Sequence, residues 1–289
     1  MQIVTDSGTD LYFTQEQLKE MAVHIVPLSV TLEGKTYREG VDIRNEDFYA
    51  LLEASDELPT TSQPAAGVFA ELYRSLALTD PEILSIHISS GLSGTVNAAR
   101  AGAAMVPEAH VTFVDTKTLS IPAGWQVEAA ARAVKAGWPL EKVLALLKEI
   151  DSSTDVVFTL KELKYLIHGG RISHMKGLIA SLLNIKPLIG VEKVRGTYVQ
   201  YGQARSFEKA IRSLGEYINK KYSTGTHLRL QVVQADNPEG AQKLIEDVTT
   251  RFKCDWLSTS KLSLVLGAHV GPSMIGIAFA PAEVFNSLP

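Results

Sequence analysis

Four short segments gather the hydroxyl, imidazole and guanidinium groups with which this chain could do chemistry. They are Thr60-Thr61-Ser62-Gln63-Pro64, Ser89-Ser90-Gly91-Leu92-Ser93-Gly94-Thr95, His168-Gly169-Gly170-Arg171-Ile172-Ser173 and Gly267-Ala268-His269-Val270-Gly271-Pro272. The second lies between the β-rich run Ile83–Ile88 and a helical pattern over Ser93–Met105. A glycine-bearing strand-to-helix loop points backbone N–H groups at a helix N-terminus, where the peptide dipoles favour an anion. The same residues also make an ordinary capped turn with nothing bound. No Gly-Lys-Ser/Thr follows, so it is not a P-loop, and it is not GxGxxG. It is one residue short of a nucleophile elbow, because Thr95 stands where Gly91-x-Ser93-x needs glycine.

Thr60–Pro64 reads as a second hydroxyl-rich helix start, for which plain N-capping is the simplest role. Two such starts in one α/β half would share an anion site, since a parallel sheet sets its loops along one edge. Arg171 is a lone cation among apolar neighbours; if it is partly buried it requires an anionic partner. His269 is framed by glycines that let backbone or ligand approach closely, although a satisfied core histidine has the same look. The seven histidines show no HxH or HExxH spacing, which argues against a metal site. Asp6-Ser7-Gly8 offers a third loop on the same edge, and Asp115 caps the segment after a further strand.

The elements that would carry these segments follow from hydrophobic period and turn chemistry. Gln2–Thr5, Ile83–Ile88 and Val111–Asp115 read as strands. Thr14 with Gln17 forms a capping box, Asn45 caps a helix to about Ala54, and Pro64 opens one to about Leu78. His24–Leu32 and Lys35–Arg38 read as a hairpin through Glu33-Gly34. Trp125–Lys135 and Pro139–Ile150 are helical. Strand and helix alternate, so the first half is an α/β domain on a parallel sheet. Asp151-Ser152-Ser153-Thr154 marks the boundary, giving domains 1–153 and 154–289. In the second half Val156–Leu160 is a strand, Lys161–His168 a short helix stopped by glycines, and Met175–Leu183 a helix. Leu188–Val194 and Thr197–Tyr201 form a hairpin, with Ser206–Lys220 and Pro238–Phe252 as helices. Leu228–Ala235 and Ser273–Phe279 complete a mixed-sheet α+β domain.

The 289 residues, 45% hydrophobic and 21% charged, suffice for a core in each of two such domains. With 28 Lys and Arg against 32 Asp and Glu the net charge is −4, without the basic excess expected of a nucleic-acid binder. The single cysteine, Cys254, excludes a disulfide within the chain or a CxxC site and fits a reducing compartment. Met1-Gln2-Ile3-Val4 runs straight into a strand. Glycines, prolines and His269 interrupt the apolar stretch from Leu262 to Phe285, so neither reads as a leader or a membrane span. The expectation is a cytoplasmic protein.

Taken in order, Thr5-Asp6-Ser7, Thr61-Ser62-Gln63-Pro64, Ser90-Gly91-Leu92-Ser93-Gly94-Thr95, Gly169-Gly170-Arg171-Ile172 and His269-Val270-Gly271-Pro272 resemble the motifs of DegV proteins. The resemblance covers essentially the whole chain. It implies a DegV-like fold of two α/β domains with a long-chain fatty acid held between them. It also implies no further cofactor and no catalytic residue, because characterised members are the fatty-acid-binding subunit of fatty acid kinase. A separate ATP-binding kinase subunit phosphorylates the carboxylate, and the acyl-phosphate feeds phospholipid synthesis. By match, Thr61 and Ser93 hydrogen-bond the carboxylate, Arg171 and His269 lie beside it, and Arg205 faces the kinase. Ser273 departs from the pattern, standing where glycine is frequent.

The implied chemistry is coherent. A C16 tail would bury about 14 methylenes at about 0.8 kcal/mol each, roughly 11 kcal/mol, so the tail supplies most of the affinity. The head-group residues would set register and offset carboxylate desolvation, with Arg171 or a protonated His269 as counter-ion. Exchange of the acid with a membrane would be transient. The rival reading is a serine hydrolase of acyl esters, with Ser93 as nucleophile and His269 as base. Against it stand the missing glycine at 95 and the lack of an orienting acid before His269.

Overall fold

Alternation of apolar residues along Gln2–Asp6 and Glu82–His87 builds the first sheet. Ile3 and Leu84 face one layer, and Val4 and Ile83 the other. The computed structural model describes residues 1–175 and 185–289. In it the order is Val23–Val26, Gln2–Asp6, Glu82–His87, His110–Asp115, all parallel. Helices Ala66–Ala77 and Thr95–Ala103 cover the Val4 face through Phe69, Tyr73, Ala98 and Ala99.

The opposite face meets a central helix, Ser120–Lys135, in which thirteen of sixteen residues are buried, so it has no solvent stripe. Its alanines let both neighbouring layers approach. The second layer is a mixed sheet in the order Tyr198–Ala204, Lys186–Val191, Asp155–Thr159, Ile275–Pro281, His227–Gln234, Lys253–Trp256. Val156, Phe158 and Ala278 of this sheet belong to the same hydrophobic cluster as Ile3, Leu84 and Trp125. Trp125 Nε1 donates to Gln231 Oε1 at 2.9 Å, and Arg229 pairs with Glu128 while lying over the Trp125 ring. The outer face of the mixed sheet packs on helices Phe207–Lys221 and Pro238–Thr249 through Val157, Ile277 and Phe279.

Several expectations are corrected. The run His24–Leu32 is not one hairpin arm. It breaks around Pro27, so Val23–Val26 joins the parallel sheet and only Ser29–Leu32 pairs with Lys35–Arg38. Thr60–Ser62 is not a helix start but a strand, the third of this small antiparallel sheet, with Thr61 opposite Val30. The helix after it begins at Ala66, beyond Pro64, without a side-chain cap. Arg44 occupies the N-cap expected of Asn45, whose amide donates to the Leu262 carbonyl instead. Asp151-Ser152-Ser153, within the segment read as the domain boundary, forms the end of the helix Leu140–Ser153. Helix Leu264–Val270 and strand Lys253–Trp256 had no counterpart in the sequence reading. The helix expected over Met175–Leu183 lies, beyond Met175, outside the described residues. Among the described residues no helix is long and apolar enough to cross a membrane.

Candidate functional site

Four elements converge beneath the carboxyl edge of the parallel sheet. The strand Glu82–His87 passes into the loop Ser89–Gly94, folded on itself by Leu92 and Ser93 N–H bonds to the Ser89 carbonyl. The Ser89 hydroxyl donates to the Gly196 carbonyl, tying this loop to the hairpin of the mixed sheet. Strand pairing presents Thr61. Gly169 ends the helix Lys164–His168, and Arg171 opens the turn Arg171–His174 after Gly170, whose φ of 74° suits glycine. His269 stands in the last turn of Leu264–Val270.

Thr61 Oγ1 and His269 Nε2 lie 2.8 Å apart. The other ring nitrogen, Nδ1, is buried without a partner among the described residues. The ring sits directly on the Gly169 backbone, where a Cβ would fall 2.0 Å from Nδ1. Any side chain at 169 would displace the imidazole. Burial foremost, then the Arg171 charge and then His168, push the His269 imidazole down to about 4. Without a bound anion this favours the neutral imidazole and leaves the Arg171 guanidinium as the cation bordering the site.

Arg171 is half-buried, and Nε and Nη1 donate to the Leu92 and Gly169 carbonyls at 3.3 and 2.6 Å. Among the described residues it forms no ion pair. A guanidinium held by neutral carbonyls keeps its charge available to an anion.

These groups line one cavity of about 300 Å³, together with Leu28, Ile88, Leu119 and Leu266. Thr61, Ser93, Arg171 and His269 all border it, and Arg205 does not. Arg205 is exposed just before Ser206, the N-cap of helix Phe207–Lys221. Leu119, Tyr198 and Leu266 also border a second, almost wholly apolar space of about 10 Å³, lined in addition by Phe158, Val270 and Met274. The polar cavity and this small apolar space thus share a wall of three side chains. The arrangement offers a cation and hydroxyls beside apolar side chains, which suits an anionic group attached to an apolar body.

The hydrolase geometry is not present. Ser93 Oγ pairs with Thr95 Oγ1 at 2.8 Å, while His269 Nε2 is engaged by Thr61. Asp6 is fully buried in a separate chain with His87, Ser85 and Tyr73. Among the described residues no carboxylate or histidine cluster could hold a metal ion. Ser273, the departure from the motif, is used: its hydroxyl accepts the Lys161 N–H at 2.9 Å. Sequence reasoning missed Tyr198, Leu266 and Val270. The last two were readable in principle, since Leu262, Leu266 and Val270 recur at helical spacing beside His269.

Comparison with known proteins agrees with this architecture. The family model described as "Uncharacterised protein, DegV family" matches residues 1–282. A DegV domain-containing protein of Deinococcus radiodurans is 35% identical over 279 residues, 96% of this chain and 95% of its own. The structure of a fatty-acid-binding DegV family protein from Thermus thermophilus superposes with a TM-score of 0.86 at 30% identity, covering 97% of this chain and 99% of the other. That of DegV from Bacillus subtilis, a fatty acid binding protein, gives 0.85 at 31% identity, covering 96% and 98%.

Proposed function

The chain belongs to the DegV family, and from that premise we propose that it is a carrier that holds one long-chain fatty acid between residues 1–153 and 154–289. In this reading the carboxylate sits at the Thr61–His269 pair and Ser93, with Arg171 as counter-ion, and is presented to a separate ATP-using fatty acid kinase. Fatty acid binding by the Thermus thermophilus and Bacillus subtilis proteins supports the substrate class. The observation that supports this most is the half-buried Arg171, bonded only to carbonyls among the described residues, in a cavity it shares with Thr61, Ser93, His269 and the apolar Leu28, Ile88, Leu119 and Leu266.

Each half of the chain contributes to the head group, Thr61 and Ser93 from one and Arg171 and His269 from the other. With Nε2–H of a neutral His269 donating to Thr61 Oγ1, the Thr61 hydroxyl is free to donate to the carboxylate, and Arg171 supplies the charge. The chain contributes no nucleotide-binding motif to this scheme, so the phosphoryl donor would come with the partner. Denaturing extraction of the purified protein, followed by mass spectrometry, tests the ligand: about one fatty acid per chain is expected, and a folded protein without one refutes the reading. Incubation with a fatty acid kinase and ATP tests the partner, with acyl-phosphate as the expected product.

A further inference from the structure

The helix that carries His269 is short, seven residues, and its own N-cap residue does not cap it. Its first N–H groups are met from far away in the chain. Glu39 Oε1 accepts the Leu264 N–H at 2.5 Å, and Glu39 Oε2 accepts the Ser263 hydroxyl at 2.7 Å. Asp10 Oδ1 accepts the Ser263 N–H at 2.7 Å. The remaining acceptor positions of these carboxyls take the hydroxyls of Ser7 and Ser120. The N-terminal strand turn, the small sheet, the central helix and the His269 helix therefore meet at two acidic side chains.

We propose that Glu39 is a positioning residue for the carboxylate site, capping the His269 helix in trans and so setting where the imidazole meets Thr61. This rests on the fatty-acid reading above. Leu264 to His269 spans five residues, about 7.5 Å of helix, so a shift at the capped end is carried to the ring. Two other contacts confine the same helix. Tyr49 packs where a Cβ at Gly267 would lie 2.1 Å from its hydroxyl, and Gly169 supports the ring at the far end. Without the Glu39 cap the helix keeps its apolar contacts but loses the bonds that fix its start. Burial raises the Glu39 carboxyl from its ordinary value and lifts that of Asp10 to about 8, against the opposing pull of the hydrogen bonds each accepts. Glutamine retains one such acceptor oxygen and an amide for the serine hydroxyls. It should therefore substitute, and alanine should not.

The test compares palmitate with hexadecanol, which has the same tail and no carboxylate, on wild type, Glu39→Ala, Glu39→Gln and Ser263→Ala. Palmitate affinity is expected to fall about tenfold in Glu39→Ala, the size of one lost hydrogen bond at the head group, while hexadecanol affinity holds. Glu39→Gln should restore the wild-type ratio. Ser263→Ala, which removes one bond and leaves the fold intact, should lower the ratio by a smaller factor, and it decides the matter if Glu39→Ala does not fold. An unchanged palmitate-to-hexadecanol ratio in both Glu39→Ala and Ser263→Ala, whether affinities fall together or stay put, overturns the proposal. The ring ¹⁵N resonances of His269 in ligand-free protein give a second readout: they should move in Glu39→Ala and return in Glu39→Gln. If wild type binds no palmitate, the fatty-acid reading fails, and these resonances still decide whether Glu39 positions His269.

Discussion

Thr61 and His269 stand 208 residues apart in sequence, and their side chains meet at 2.8 Å. Each arrives by a different route: Thr61 on a strand paired with Ser29–Leu32, His269 on the short helix that precedes strand Ile275–Pro281 of the mixed sheet. The pair borders the same cavity as Arg171.

Arg171→Ala should weaken fatty acid binding about 10- to 100-fold, because a charge-assisted hydrogen bond is worth about 1.5–3 kcal/mol. Fluorescent fatty acid titration measures it. Unaltered affinity would take Arg171 out of the site.

Gly169→Ala should place its methyl against His269 Nδ1 and force the ring away from Thr61. Overpacking of this kind costs about 1–3 kcal/mol. We expect a lower melting temperature and weaker palmitate binding together. A crystal structure of the variant with an undisturbed Thr61–His269 pair would contradict the account.

Leu266→Trp adds bulk where the polar and apolar spaces adjoin. Binding of C16 acids should drop by at least tenfold while the loss for C6 acids stays small, since the head group needs only the first space. Equal losses across chain lengths, measured by competition, would place the tail elsewhere.

His269 has a folded pKa of about 4 against an ordinary 6.5, so its unfolded form binds the extra proton between those values. Its contribution to stability is therefore complete above pH 6.5 and is lost as pH falls through 4, at most about 3 kcal/mol. Asp10 has the opposite sign. Raised to about 8, it stabilises the fold at low pH, and that contribution is lost as pH climbs from about 4 to 8. Denaturant titrations from pH 4 to 9 should show His269→Asn flattening the acid limb and Asp10→Asn the alkaline one.

Arg205→Glu should leave fatty acid affinity unchanged, because Arg205 is exposed and outside the cavity lining. If it faces the kinase, acyl-phosphate formation should fall in the coupled assay. Normal coupled turnover would reduce Arg205 to a solvated cation beside a helix start.

Chemistry-bearing residues were legible because their types are costly to place idly. Glycines flanking Arg171 and His269, and hydroxyls clustered at Thr61 and Ser93, marked four segments that the structure brings to one cavity. The strand alternation of Ile3 against Val4 and Leu84 against Ile83 was legible for the same local reason, a period of two set by the pleat. The long helix Ser120–Lys135 was recognised only from Trp125 onward, because Ser120-Ile121-Pro122-Ala123-Gly124 is a poor helix sequence alone. Tertiary burial on every side overrides that propensity.

By itself, then, the sequence determined the alternating elements, the short polar loops, the lone Arg171 and the absence of an excess of positive charge. Only the tertiary structure decided that Thr60–Ser62 is a strand, that Pro27 divides two sheets, and that Thr61 pairs with His269. It alone set the burial that pushes the pKa of His269 down and that of Asp10 up. Those outcomes depend on which distant surfaces exclude water around a group. Local spacing carries periodicity and turn chemistry, but desolvation and long-range pairing exist only once remote segments are packed together.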